Sequence, residues 1–459
     1  MTITPQEIVE RCLELSRADG TLVLVEESSS ANLRWANNGL TTNGLMRERS
    51  VTVVATVGAG TGVAAGVVGR SAVGPDDLEP LVRAAERAAR DNGPAEDAQP
   101  LVPGAAAADF ADPPTETSPS VFGAAAPALG DAFGRAEADG RLLYGYVEHE
   151  VRTTYLGSST GLRLRHEQPA GSFGMTGKSG GASAWVGRAA RDLADVDVTA
   201  LDAELTQRLR WGSRTVEVPA GRYDTVLPPT CVADLMIFAY WSMGARDAHD
   251  GRSPYSRPGQ GTRVGETLST RPVTLWSDPG APGIECAPFV LARSSDDVQS
   301  VFDNGLPAGR TEWLRDGRLD ALIQTRHTAG LTDLAATPVV GNVGLTVDGA
   351  QGTTQDLVAG VERGLLLTSL WYIRPVDPMT MLLTGLTRDG VYLVEHGEVV
   401  GAVTNFRFNE SPLSLLDRFT AAGATAPAYS REWGEYFPRA AMPPLRVPDF
   451  NMSTVSQAS

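Results

Sequence analysis

The chain has 459 residues, 42% hydrophobic and 20% charged, with a net charge of −16. That length exceeds one ordinary hydrophobic core and implies two or three domains, while the apolar content excludes disorder of the whole chain. The acidic balance argues against a nucleic-acid backbone or an anionic membrane as the main partner, because both are held by clustered Lys and Arg.

Thr4-Pro5-Gln6-Glu7 has the form of a capping box, with Thr4 as N-cap, Pro5 at the first helical position and Glu7 reaching back. Ile8, Cys12 and Leu15 follow at helical spacing, and Gly20 ends the helix. Residues 22–25, 32–36 and 50–54 read as strands, separated by the turn-forming Asn38-Gly39 and Asn43-Gly44. A Gly/Val-rich strand pair is expected over 58–69 and a helix over 76–90. Residues 93–118, rich in Ala, Pro and Asp, read as a linker. A helix over 121–138, strands over 142–154 and 161–167, a hairpin over 171–187 and a helix over 198–211 complete a second unit like the first.

Beyond Val216 the apolar runs lengthen. A short strand is expected at 225–227 and a buried helix at 231–243, with further strands at 273–276, 321–325, 379–383 and 390–394 and helices at 355–362 and 413–422. The pattern predicts an α+β fold, with helix-plus-antiparallel-sheet units followed by a larger, mixed, β-rich C-terminal domain. The expected divisions are 1–92, the linker 93–118, a central domain 119–215, and 216–459.

Residues able to carry chemistry are sparse. The histidines are His149, His166, His249, His327 and His396; none pairs with another at i+4 or i+5, and HExxH is absent. His249, between Asp247 and Asp250, is the best seed for a metal, yet its surroundings read as a solvated charged loop. Cys12, Cys231 and Cys286 are far apart and odd in number, which excludes a disulfide framework or zinc knuckle and fits a reducing, cytoplasmic compartment. Cys231 opens an apolar helix and reads as a small buried hydrophobe; the role of Cys286 stays open. No GxSxG elbow exists, and Gly157-Ser158-Ser159-Thr160-Gly161 reads as a polar turn. Gly60-Thr61-Gly62-Val63-Ala64-Ala65 matches a relaxed dinucleotide spacing but lies between strands, where a hairpin is the better reading. Asp76-Asp77 and Asp296-Asp297 read as a helix first turn and a solvated turn. Met1 to Ala18 carries charges throughout, unlike a signal peptide, and there is no run of 18 apolar residues.

Several phrases, in order, resemble the TldD/PmbA (TldD/TldE) family. They are Arg34 to Leu40 in the opening meander, Val218-Pro219-Ala220-Gly221-Arg222-Tyr223 leading into Thr225-Val226-Leu227, Arg263 to Glu266 followed by Val273 to Pro279, Arg363-Gly364-Leu365, Gly390 to Glu398, and Pro443 to Asp449. In the TldD branch an HExxxH helix follows the Val-Val-Leu strand at a fixed interval. Gapless superposition puts its two His and its Glu on Ile237, Ser242 and Phe238. An alkyl group, a hydroxyl and a phenyl ring cannot hold zinc or move a proton as that motif does. No His lies between His166 and His249, and no Cys follows Cys286 to match the branch's late Cys ligand.

The resemblance therefore implies the PmbA/TldE branch, with no catalytic, cofactor-binding or metal-ligating residue in this chain. It implies zinc in a TldD-like HExxxH partner, a heterodimer, and a peptide substrate guided to the partner's site; a homodimer is left open. Two other readings stand beside it: a divergent stand-alone hydrolase of peptides or small amides using His249 or Cys286, and a non-enzymatic regulatory binding protein.

Overall fold

The computed structural model describes residues 3–60 and 62–456. The capping box forms as expected at the start of helix α1 (Pro5–Leu15). The Thr4 hydroxyl accepts from the Glu7 amide, and the Glu7 carboxylate accepts from the Thr4 amide at 2.8 Å. Ile8, Val9 and Cys12 then share one buried face. Thr4→Ala removes the hydroxyl acceptor and is expected to cost about 1 kcal/mol, read as a lowered urea midpoint with an unchanged m-value.

Strands β1 (Gly20–Ala36), β2 (Gly39–Ala59), β3 (Gly62–Ser71), β4 (Leu142–Ser158), β5 (Arg163–Ser179) and β6 (Ala182–Ala190) form one antiparallel sheet in the order β3-β2-β1-β4-β5-β6. The two units expected for 1–92 and 119–215 thus share a single sheet, joined along β1 and β4 from Leu22↔Ser158 to Trp35↔Gly145. One face carries α1, α2 (Leu78–Asp91), α3 (Ala125–Ala138) and α4 (Val198–Gly212). Val23, Val25, Val51 and Val53 pack under α1 and α2, while Leu33, Trp35, Phe173 and Met175 pack under α3 and α4. At Gly66 a Cβ would come within 2.2 Å of the α2 backbone, so α2 and β3 touch main chain to main chain.

Residues 93–118 are not a slack tether. Buried Thr117 bonds Ser29 through its amide and meets His149 Nδ1 at 2.8 Å through its hydroxyl, while Tyr155 donates to the Asp112 carbonyl. Leu101 and Val102 pack on the second face of the sheet with Leu22 and Leu24, and residues 110–117 cross the helix-bearing face between the two helix pairs.

The second face of the sheet changes character along its strands. At one end Leu22, Leu24, Val54 and Leu156 pack on Val301 and Phe302 of the C-terminal part. Farther along, the same register places Glu26, Ser28, Ser30, Asn32 and Arg34 on β1 beside Glu150, Glu148 and Tyr146 on β4. This is why 22–25 and 32–36 read as two strands in sequence: the polar stretch between them is the middle of one long strand facing a polar space.

After residue 215 the chain builds two further sheets around helix α5 (Pro229–Trp241). In the ten-stranded mixed sheet, Gly221–Leu227 lies between Leu445–Val455, antiparallel, and Arg363–Leu367, parallel. In the other, Val273–Ser277 lies between Thr311–Arg315 and Val343–Val347. Two expected strands differ. Residues 321–325 make only isolated bridges, through Ile323 and Gln324. The strand expected at 379–383 begins at Leu382, because the Asp377 carboxylate accepts from the Met379 amide and the Thr380 hydroxyl and holds a turn there. No described helix is long and apolar enough to cross a membrane.

Candidate functional site

Helix α5 starts at Pro229, where a missing N–H costs nothing, and is apolar almost all round because both C-terminal sheets bury it. Cys231, Val232, Leu235, Met236, Ile237 and Tyr240 are fully buried. The Tyr240 hydroxyl donates to the Val340 carbonyl at 2.7 Å and accepts from the Val340 amide at 2.8 Å. Of the three motif positions, Ile237 lies in the core. Phe238 packs on Trp433 with ring centroids 6.3 Å apart, and the Ser242 hydroxyl bonds back to the Phe238 carbonyl at 2.9 Å. These groups do not fit zinc, and among the described residues no three His, Cys, Asp or Glu side chains are placed to hold a metal ion.

Asp234 is the one charged residue in the run 231–243, and it is fully buried. Its Oδ1 accepts from the Ser430 hydroxyl at 2.5 Å and from the Glu432 amide at 2.9 Å, and its carbonyl accepts from Trp433 Nε1 at 2.8 Å. Its Oδ2 is buried without a hydrogen-bond partner. Burial pushes the carboxyl up to about 7, against the weaker pull of the Ser430 and Glu432 bonds. Asp234, Phe238 and Trp241, spaced i, i+4, i+7, form the stripe of α5 that meets residues 430–437.

The opposite side of that segment lines a cleft of about 660 Å³ between the second face of the N-terminal sheet and the strand Leu370–Asp377. Residues 429–436 therefore lie between α5 and the cleft. Glu432 accepts from the Tyr372 and Ile373 amides and from Arg374, which pins the strand to the segment. Arg431 is held between two indoles, 4.4 Å from the Trp185 ring centre and 5.4 Å from that of Trp371, with Tyr429 stacked on Trp185. Its charge is met by Asp389 at 3.6 Å. On β4, desolvation raises the Glu148 carboxyl despite its bond to Tyr146, and Glu150 and Glu435 add to the rise.

A second cleft of about 890 Å³ adjoins the first beyond Thr176 and Arg431, which line both. It runs to the β5–β6 hairpin, where Gly180 and Gly181 take positive φ. Lys178 and Arg388 line it, as does Asp389, which accepts from Ser183 at 2.6 Å.

The sequence-level candidates lie elsewhere. His249 is exposed at the end of the short helix Ala245–His249, among the pairs Arg246–Asp250 and Arg252–Asp247. Cys231 is buried, its thiol 3.3 Å from the Leu367 carbonyl, and Cys286 is buried with its thiol pushed up to about 11 by desolvation. Residues 157–161 span the end of β4 and the turn after it, where the Ser158 hydroxyl accepts from the Leu162 amide. Gly60, at φ +62, and Gly62 flank the β2–β3 turn, whose Thr61 lies outside the described residues. Asp77 accepts from the Gly74 amide in the turn before α2, and Asp296 from the Val298 and Gln299 amides. None of these enters the cleft. Sequence reading missed Trp185, Trp371, Tyr429 and Arg431, which only the fold brings together; the lone acid Asp234 in an apolar helix was the available signal.

Residues 220–454 match the PmbA/TldA metallopeptidase C-terminal domain. No curated protein matches the chain by sequence. In fold it is similar to TldE from Thermococcus kodakarensis, with 16% identity, a TM-score of 0.75, and coverage of 97% of this chain and 99% of that one. It is also similar to a proposed modulator of DNA gyrase from Thermotoga maritima, with 16% identity, a TM-score of 0.77, and coverage of 98% and 100%. The corresponding figures for one from Bacteroides thetaiotaomicron are 15%, 0.76, 99% and 100%.

Proposed function

This chain belongs to the PmbA/TldD metallopeptidase family, and from that premise we propose that it is the metal-free subunit of a heterodimeric peptidase, shaping a cavity that guides peptide to the zinc of an HExxxH-bearing partner. The observation that carries the reading is the state of α5. Ile237, Phe238 and Ser242 stand at the motif positions, and Trp433, anchored to the Asp234 carbonyl, covers the helix on its cleft side. A helix relieved of metal chemistry is free to be packed as core, where burial contributes about 25 cal/mol per Å² of apolar area.

The cleft supports the substrate side of the reading. Its walls combine indole and phenol rings with a few charged groups, a lining suited to an unfolded chain whose side chains vary. Three buried cysteines, none in a disulfide, support a reducing, cytoplasmic location.

Purification alone, and after co-expression with an HExxxH-bearing family member from the same organism, tests the proposal. Zinc and peptidase activity are expected only in the co-purified pair. Stoichiometric zinc or peptide cleavage by the lone chain would overturn it.

A further inference from the structure

The two clefts adjoin, with Thr176 and Arg431 in the lining of both, and along the groove they make together the charges are sorted by end. At the hairpin end stand Lys178, the only lysine in the chain, and Arg388, with Arg431 at the junction. One carboxylate, Asp389, offsets them there and is held by Ser183 and Arg388. At the other end Glu435 lines the wall, and Glu148 faces the same space from β4. Arg374 and Glu432 pair with each other at 3.1 Å, Glu150 pairs with Arg152 at 2.9 Å, and Arg34 lies over the Tyr146 ring at 5.3 Å. The groove is therefore cationic at one end, anionic at the other and aromatic between them, where Trp185, Trp371 and Tyr429 lie.

Register gives its length. Lys178 and Ser172 lie on the same face of β5, and Ser172 is opposite Glu148. Six residues of strand separate the two levels, roughly 20 Å at the usual rise. An extended chain covers about 3.3–3.6 Å per residue, so the span is that of about six residues.

We propose that this groove reads both ends of a free oligopeptide, taking the terminal carboxylate at Lys178, Arg388 and Arg431 and the terminal ammonium at Glu148 and Glu435. The inference rests on the peptide-guiding reading above and adds to it a direction and a length. The peptide enters with a fixed polarity, its side chains resting on the exposed rings of Tyr372 and Tyr436 that line the same cleft, and peptides of about six residues fit with both charges satisfied. Interior segments of long chains, which lack both charges, bind less well.

Calorimetric titration of the full chain with a hexapeptide of uncharged side chains, alanine–glutamine repeated three times, tests this. Three forms are compared: free at both ends, C-terminally amidated, and N-terminally acetylated. Each block is expected to weaken binding about tenfold, the effect of losing one charge-assisted contact. Lys178→Met should reduce the sensitivity to amidation and keep that to acetylation, and Glu148→Gln should do the reverse. Equal binding of all three forms would overturn the end-reading inference and leave the peptide-guiding role standing. Binding of none would overturn both.

Discussion

An Asp234→Asn variant is expected to be more stable than the parent at pH 8 and to lose the parent's decline in stability between pH 4 and pH 8. The native carboxyl titrates at about 7 and the unfolded one near 3.8, so the folded chain binds this proton more tightly. The stabilising contribution is full below pH 3.8, falls as pH rises, and is gone once pH passes 7. A displacement of that size corresponds to on the order of 4 kcal/mol for a fully buried group. Asparagine keeps an oxygen for the Ser430 hydroxyl and the Glu432 amide, and it brings no charge to the buried Oδ2 position that has no partner. Urea unfolding across that pH range measures the effect; an unchanged pH slope in the variant would show that Asp234 is not its source. The same carboxyl anchors residues 430–433 over α5, so the Asp234→Asn chain should keep its cleft and its peptide affinity.

Grafting the zinc motif back, as Ile237→His, Phe238→Glu and Ser242→His together, is expected to cost about 3 kcal/mol or more and to yield no stoichiometric zinc. Ile237 is fully buried in the C-terminal core, and an imidazole there leaves ring nitrogens without water or partner. Phe238 packs on Trp433, so a glutamate in its place loses that contact and sets a carboxylate against an indole. No cysteine follows Cys286 to complete the set. Thermal unfolding and metal analysis of the purified variant check both parts. A stable variant holding one zinc per chain would mean that α5 is a preserved site rather than refilled core.

Local signals are legible in the sequence where they are self-contained. The capping box at Thr4, the helix over 198–211 and the apolar helix opening at Cys231 need only their own residues, and all three stand within a few positions of their expected places. The unity of the N-terminal sheet was not legible. Glu26 to Ser30 looks like loop because one face of β1 meets the groove and the other meets the segment around Thr117, so neither shows an apolar alternation. The groove was less legible still. Trp185, Trp371 and Arg431 are scattered over nearly 250 residues, and none carries a local pattern that marks it. The α5 substitutions could be seen in sequence only because the Thr225-Val226-Leu227 strand fixed the register. What covers the helix, Trp433 tied to Asp234, required the fold.

The pairing of β1 with β4 also governs how the chain must be made. Strand β1 is complete at Ala36, but its neighbour on one side does not begin until Leu142. At about 5–20 residues per second of synthesis, β1 waits on the order of 5–20 s with a long row of amide and carbonyl groups unmatched. An unpaired edge of that length is a template for any other strand. A nascent chain halted between α2 and β4 would present it to a neighbour on the same message, so the hazardous interval in the life of this protein falls on the ribosome, before the groove exists.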